Sequence, residues 1–184
     1  MKNFDNFNQY KELALKTEMP DYKPVCDRFT TNVARKTHGS FLLLEIIELE
    51  KAITNYDEDN IIEELGDCAW YIALLADCYN VDLSFDGKIT NNQNLEEIKW
   101  EAFKIVDNLK KELFYNNKLN EEKCFEKPLK DLYFLFNQEF GDLFKIGMYK
   151  NIKKLQKRYP NRYNDKDANN RNIETEMEAI NQSR

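Results

Sequence analysis

The chain has 184 residues, of which 42% are hydrophobic and 33% charged, and its formal net charge is −6. This length fits one domain with a hydrophobic core, and the acidic balance, without a long basic block, argues against a nucleic-acid-binding protein. Only 5 glycines and 4 prolines occur, so we expect helices joined by few loops rather than a sheet-rich fold.

The cysteines and the apolar runs indicate in which cellular compartment the protein is expected. The four cysteines form no C-x-x-C pair and the chain has one histidine, His38, so no structural zinc site is expected. No apolar stretch approaches the roughly 18 residues of a membrane span, and the N-terminus lacks the apolar segment of a signal peptide. We therefore predict a cytoplasmic protein without a membrane span; for a viral protein this would be the host cytoplasm.

Apolar periodicity predicts an all-α protein in which helical segments follow one another. In chain order they cover residues 3–17, 25–37, 40–54, 60–79, 95–115, 129–157 and 165–180. Ser40 and Asn60 are the expected N-caps of the third and fourth segments. Residues 84–94 are predicted to form a loop, and Gly141 and Gly147 are expected joints within the sixth segment.

Two of these segments carry paired acids three residues apart. Glu45 and Glu48 lie in the apolar run LLLEIIELE, and Glu64 and Asp67 lie in IIEELGDCAWYIALL. A spacing of three places both side chains of a pair on one helix face, and the 15 residues between the pairs allow an antiparallel hairpin. The four carboxylates would then converge, which is unfavourable in an apolar core unless a cation neutralises them. The alternative is that they lie on solvated faces of amphipathic helices.

The ligand atoms of such a site limit which metal ion it would bind. Oxygen ligands alone favour a hard cation, Mg²⁺ or else Mn²⁺. A di-iron site in a helical bundle needs Glu-x-x-His on two helices, which a chain with one histidine lacks. A magnesium cluster held by carboxylates keeps coordination positions for water and for a substrate phosphate, which points to phosphoryl chemistry.

The E-x-x-E and E-x-x-D motifs resemble the signature of the all-α nucleoside triphosphate pyrophosphohydrolases, the MazG-like and dimeric dUTPase superfamily. The segment EELGDCAWYIALLAD at residues 63–77 is similar to the second-motif helix of the MazG-like branch, and residues 151–176 resemble the tail of its phage and bacterial members. The first motif departs from the pattern, because bulky aliphatic residues stand where family members often carry small ones. The resemblance covers residues 38–83 and 148–176 well and the stretch between them poorly.

The resemblance implies a helical bundle that hydrolyses a (d)NTP to a (d)NMP and pyrophosphate, by attack of a metal-activated water on the α-phosphorus. The residues that it assigns to metal binding and catalysis are Glu45, Glu48, Glu64 and Asp67. The positions that it assigns to contact with the substrate phosphates are Tyr71, Asn151, Lys154, Arg158 and Tyr159. Alternatively, Lys154 and Arg158 form a solvated cationic helix end, and Tyr71 is an interfacial aromatic.

Three further side chains near the acids have roles to assign. His38, two turns before the first glutamate pair, is a candidate for the base pocket or else an exposed histidine without a special role. Lys51 follows Glu48 by three residues, and it either pairs with that glutamate or supports the metal cluster. Trp70 points to another side of its helix than the acids, so core packing is expected for it.

The middle of the chain resembles a degenerate second copy of the acidic hairpin. Lys104 and Asp107 stand where the first motif has its two glutamates, and Glu139 and Asp142 repeat E-x-x-D. Alternatively these are ordinary surface residues. The single all-α domain, residues 1–184, would then comprise a catalytic hairpin at about residues 38–83, the second hairpin at about 95–147 and a C-terminal phosphate-contacting segment at 148–176.

Assembly and substrate follow from the same resemblance. A single helical hairpin cannot bury its apolar face, so short members of the superfamily associate; with a second hairpin in the chain we expect a homodimer, with a tetramer as the alternative.

The competing functional hypothesis is a non-catalytic helical protein of the same fold that binds nucleotides or a protein partner. For an enzyme, the preferred base and sugar stay open, as do an alarmone substrate and the choice between pool sanitation and viral nucleotide supply.

Overall fold

The computed structural model describes residues 23–83, 95–115 and 118–159, together with isolated positions outside these ranges. Helices form all the regular structure of this part of the chain, which confirms the all-α prediction. A π-helical turn, Glu122–Glu126, precedes the sixth helix. The α-helices are α1 (Lys23–Arg28), α2 (Thr31–Gly39), α3 (Leu42–Thr54), α4 (Glu58–Tyr79), α5 (Leu95–Tyr115), α6 (Lys127–Phe140) and α7 (Asp142–Arg158).

The two predicted N-caps are wrong. Ser40 ends α2 instead of starting α3, because its Oγ donates a hydrogen bond to the carbonyl oxygen of Thr37. Helix α4 begins at Glu58, since the side chain of Asp57 accepts a hydrogen bond from the backbone N–H of Asn60. Asn60 is therefore the third residue of the helix, and the acid before it supplies the cap.

The helix breaks agree with the prediction in part. The single helix predicted over residues 25–37 is two helices, because Thr30 starts α2 by accepting a hydrogen bond from the backbone N–H of Val33. Gly141, a predicted joint, separates α6 from α7 with a φ of 50°, a value that glycine adopts readily. Gly147, the other predicted joint, lies inside α7. The predicted segments that lie wholly or mostly outside the described residues are 3–17, 84–94 and 165–180.

The core is one continuous cluster to which α3 through α7 contribute. Helix α4 packs extensively against both α3 and α7, and α5 packs against α6. Fully buried members include Ile46 on α3, Leu65 on α4, Leu132 on α6 and Phe144 on α7. Each such side chain stabilises the fold by about 1.5–3 kcal/mol, so the acid-bearing helices α3 and α4 are held rigidly against one another.

Among the charged residues of the proposed second copy, Lys104 and Asp142 are exposed, and Asp107 and Glu139 are partly exposed. Lys104 and Asp107 form ion pairs with side chains one turn away on α5. Glu139 lies near the end of α6 and Asp142 begins α7. The helix break at Gly141 therefore prevents Glu139 and Asp142 from sharing one helix face.

Two glycines let α4 and α7 cross closely. A Cβ atom on Gly66 would lie 2.5 Å from the carbonyl oxygen of Gly147, and one on Gly147 would lie 2.8 Å from the carbonyl oxygen of Ile62. No larger residue fits either position without moving backbone. Because the helices approach so closely here, Asn151 and Lys154, one and two turns further along α7, reach the acidic face of α4.

Candidate active site

Three of the four predicted acids come together between α3 and α4. Oxygen atoms of Glu45, Glu64 and Asp67 all lie within 4.8 Å of one another, and each residue is half-buried. The three-residue spacing places Glu64 and Asp67 on one face of α4, and α3 brings Glu45 to that face. Three carboxylates this close repel one another, and a divalent cation with oxygen ligands would neutralise them.

The protonation equilibria of the cluster reflect this crowding. Burial, followed by the charges of Asp67 and Glu45, raises the pKa of Glu64 to about 7. Burial and the charge of Asp67 also raise the pKa of Glu45, while the ammonium group of Lys154 acts in the opposite direction. Without a cation, the cluster therefore tends to hold a proton. This is expected where the negative charge of several carboxylates exceeds the positive charge of the groups around them.

The fourth predicted acid lies apart from the cluster. Glu48 is exposed, and its Oε1 atom is 2.6 Å from Nζ of Lys51. The structure thus gives Lys51 the first of its two predicted roles, the pair with Glu48, on the outer surface of α3. The side chain of Glu48 would have to leave this exposed pair to join a metal centre.

Helix α7 supplies two partners for Asp67. Nζ of Lys154 lies 2.8 and 2.9 Å from its two carboxylate oxygens, and Nδ2 of Asn151 donates a hydrogen bond to Oδ1 over 2.5 Å. Lys154 is buried and also lies 3.2 Å from Glu63. The motif analysis did not single out Glu63, although it precedes Asp67 by four residues and that spacing indicates one shared helix face.

The other two residues predicted to contact phosphates lie at the end of α7. The guanidinium of Arg158 donates to both carboxylate oxygens of Glu176, over 2.8 and 2.5 Å, and lies 5.9 Å from the ring centroid of Tyr159. Glu176 is buried, and the sequence does not single it out, because no spacing distinguishes this glutamate within the tail segment 151–176. The guanidinium group of Arg158 thus binds the carboxylate of Glu176, where the resemblance led us to expect a substrate phosphate.

Four aromatic rings form a cluster next to the acids. His38 lies 5.7 Å from Phe41, 5.4 Å from Trp70 and 5.5 Å from Tyr71 between ring centroids, and Trp70 lies 5.0 Å from Tyr71. Trp70 is 37% exposed, so the prediction that it packs in the core is wrong. Burial and the charges of Glu45 and of the aspartate one turn earlier on α4 raise the pKa of Tyr71. This ring is therefore close to the carboxylate cluster.

Comparison with known proteins places this site within one family domain. Residues 34–98 match the family model of the MazG nucleotide pyrophosphohydrolase domain. No curated protein and no solved structure matches the chain significantly. Among the described residues, no helix is long and apolar enough to cross a membrane. The matched range contains the three clustered carboxylates and the four aromatic rings. Residues 34–98 are thus similar to the MazG domain, which confirms the resemblance that the motifs predicted.

Proposed function

We propose that this protein is a metal-dependent nucleoside triphosphate pyrophosphohydrolase that converts a (d)NTP to a (d)NMP and pyrophosphate. The observation that carries the proposal is the cluster of Glu45, Glu64 and Asp67 inside the matched MazG domain. Three half-buried carboxylates at a helical interface repel one another, and Lys154 offsets only part of their charge, which supports a site that binds a cation.

The three clustered acids are the proposed metal ligands, with Mg²⁺ as the expected ion and Mn²⁺ as an alternative. Glu48, one turn beyond Glu45 on α3, is the proposed fourth ligand. Bound there, the ion would neutralise phosphate charge and lower the pKa of a coordinated water. Asn151 holds the carboxylate of Asp67 through its amide N–H, and Lys154 offsets part of the negative charge of the cluster.

The substrate contacts are assigned in the same way. Tyr71, Asn151 and Lys154 border the carboxylates and are the proposed phosphate contacts nearest to the α-phosphorus. The proposed contacts for the distal phosphates are Arg158 and Tyr159; Arg158 would exchange its Glu176 carboxylate for a phosphate. His38 is the proposed contact for the base.

The experiment measures pyrophosphate and nucleoside monophosphate from a panel of standard and modified (d)NTPs, with Mg²⁺, with Mn²⁺ and with EDTA. We expect metal-dependent release of both products in equal amounts, and a loss of about 100-fold or more for Glu64→Gln. Glu58→Gln is the matched control, because Glu58 lies exposed in the first turn of the same helix. It should keep the wild-type rate.

A second candidate is a nucleotide-binding protein without turnover. The observation that favours it is Lys154, which already pairs with Asp67 and so offsets part of the charge that a metal would neutralise. Calorimetric binding of a nucleotide to folded, metal-replete protein that releases no pyrophosphate from any member of the panel would select this candidate. Equal activity in EDTA would contradict both the metal assignment and the enzyme class proposed here.

We further propose that the protein is a homodimer. The exposed side of α3 carries an apolar row, Phe41, Leu44 and Ile47, whose side chains are 45%, 57% and 44% exposed. Contiguous apolar residues of this kind mark association surfaces more often than free surface. A two-fold axis beside α3 would bury the same row on both copies.

A further inference from the structure

A second cavity lies towards the C-terminal end of α4, away from the carboxylates. It has a volume of about 640 Å³ and lies between the start of α2, the end of α5 and the π-helical turn, and this volume is in the usual range of small-molecule sites. The ring of Phe125, in the cavity wall, stacks on Tyr79 with a centroid distance of 4.4 Å. Tyr79 follows Asp67 by 12 residues on α4, which is about 18 Å along the helix axis. The cavity is therefore separate from the acidic site.

The wall of this cavity at the start of α2 favours an anion. It is lined there by Arg28, Thr30 and Lys118. Nε of Arg28 donates a hydrogen bond to the carbonyl oxygen of Leu113 over 3.0 Å, which holds the guanidinium group at the wall. Thr30 is the N-cap of α2, the helix end at which backbone N–H groups and the helix dipole attract negative charge. Lys118 is exposed, so its ammonium group can reach an anion that enters from solvent.

A carboxylate in the wall has the opposite requirement. Nζ of the buried Lys36 lies 3.4 Å from Oε1 of Glu112 and 4.4 Å from the ring centroid of Tyr79. Among the described residues, Oε2 of Glu112 and the hydroxyl of Tyr79 are buried side-chain atoms without a hydrogen-bond partner. Glu112 lines the cavity. A buried carboxylate oxygen of this kind needs an N–H or O–H donor, which either a water or a ligand supplies.

Apolar side chains connect the cationic wall with this carboxylate. Thr30 and Lys36 are six residues apart, which corresponds to about 9 Å along α2. A nucleoside monophosphate has the same order of groups over a similar length: a phosphate, a sugar with a flat base, and polar atoms at the edge of the base. The apolar residues of the cavity wall are Val33, Leu109, Leu113, Leu119 and Phe125.

We propose that this cavity is a second nucleotide site, which binds a nucleoside monophosphate with its phosphate at Arg28 and Lys118 and an amino group of its base at Glu112. Carboxylates accept hydrogen bonds from the amino groups of bases. The choice of ligand rests on the proposed function, because that reaction releases a (d)NMP. Binding here needs no metal ion, since the cations of the protein offset the phosphate charge, whereas phosphates at the three clustered carboxylates depend on one.

Calorimetry in EDTA tests the site with three ligands: AMP, purine riboside 5′-monophosphate, which lacks only the amino group of the base, and adenosine, which lacks the phosphate. AMP should bind about 10-fold more tightly than purine riboside 5′-monophosphate, because the amino group donates to a carboxylate. Lys118→Glu should weaken AMP binding about 5-fold and leave adenosine binding unchanged. Lys145→Glu is the matched control, since Lys145 is an exposed lysine on α7, and it should bind AMP like wild type.

Two further variants assign the contacts. Glu112→Gln should reduce the preference for AMP over purine riboside 5′-monophosphate to about 2-fold, because a neutral amide is the weaker acceptor. Glu64→Gln changes the acidic site and should leave AMP binding in EDTA as it is in wild type. If Glu112→Gln does not fold, Lys118→Glu and the pair of monophosphates still decide, since they leave Glu112 in place.

Three results would overturn the proposal: no binding of AMP in EDTA, equal binding of AMP and purine riboside 5′-monophosphate, or equal losses in Lys118→Glu and Lys145→Glu. Equal binding of the two monophosphates would mean that water alone satisfies Glu112. None of these measurements requires turnover. The predicted AMP binding without hydrolysis of any natural (d)NTP would support the second site and contradict the enzyme, whereas metal-dependent hydrolysis without AMP binding in EDTA would do the reverse.

Discussion

Glu64 is the residue at which the electrostatics of the cluster can be measured directly. Its pKa is raised from 4.5 to about 7 by burial and by the charges of Asp67 and Glu45. A raised carboxyl pKa means that the folded state binds the proton more tightly than the unfolded state does. The ionised carboxylate therefore destabilises the metal-free fold; this penalty is absent below about pH 4.5, grows as the pH rises to about 7 and is complete above it.

We expect Glu64→Gln to stabilise the metal-free protein at pH 8 by about 1 kcal/mol, a rise in Tm of about 2–4 °C, because the amide removes the repulsion. At pH 5 the gain should shrink, since wild-type Glu64 is then protonated. Thermal melts in EDTA at both pH values measure this, with Glu58→Gln as the control. Adding Mg²⁺ should raise the Tm of wild type more than that of Glu64→Gln. A lower Tm for the variant at pH 8 would contradict the assignment.

At the residue scale, spacing predicted that four acids converge, and three of them do; it did not predict how each is neutralised. The interval of three in E-x-x-D placed Glu64 and Asp67 on one face, and the apolar runs around the acids indicated a helical interface. Whether Glu48 turns inward depends on its exposed pair with Lys51, which periodicity does not specify. The partnership of Lys154 with Asp67 depends on how closely α7 approaches α4, a tertiary property.

The crossing of α4 and α7 is the element-scale feature on which the site depends. It brings Asn151 and Lys154 to Asp67 because Gly66 and Gly147 face each other without side chains. Among the described residues, periodicity predicted the helical segments correctly except for the break between α1 and α2, and for α5 it also predicted the bounds, residues 95–115. It does not predict this crossing, because a glycine inside a helix is a weak signal, and at Gly147 it favours a joint instead.

We expect Gly147→Ala to destabilise the protein and reduce activity together. The new Cβ would lie 2.8 Å from the Ile62 carbonyl oxygen and 2.9 Å from the Gly66 nitrogen, so the helices must separate. The strain, about 1–3 kcal/mol, exceeds the gain of at most about 1 kcal/mol in helix propensity. A lower Tm and a lower kcat/KM are the measurements.

Gly39→Ala is the comparison for that substitution, because its Cβ would lie 2.6 Å from a side-chain atom of the buried Leu75 rather than from the backbone of a crossing helix. It should lose less stability than Gly147→Ala. If Gly147→Ala kept the wild-type Tm and full activity, the close crossing would not position Asn151 and Lys154, and their contact with Asp67 would need another explanation.

For the whole molecule, three helices carry exposed apolar rows. One is the α3 row of Phe41, Leu44 and Ile47, on the acid-bearing hairpin. The second is on α5, where Trp100 and Phe103 are 67% and 49% exposed. The third is on α7, where Ile146, Tyr149 and Ile152 are 42%, 54% and 51% exposed and Nζ of Lys153 lies over the Tyr149 ring, so that this row already borders a charge. The α5–α6 hairpin is joined to α3 through an ion pair between Lys99 and Glu50. It covers part of the acidic hairpin and leaves the α3 row open, which is why we place the dimer contact on α3.

The double variant Leu44→Lys/Ile47→Lys should convert the protein to a monomer, because four new positive charges would face one another across the two-fold axis. Light scattering after size exclusion should give about twice the 22.0 kDa chain mass for wild type and 22.0 kDa for the variant. Both side chains are about half exposed, so circular dichroism should show an unchanged helical fold. The control Trp100→Lys/Phe103→Lys places the same charges on α5 and should stay dimeric. A monomeric wild type, or dissociation caused by the α5 variant instead, would exclude the α3 interface.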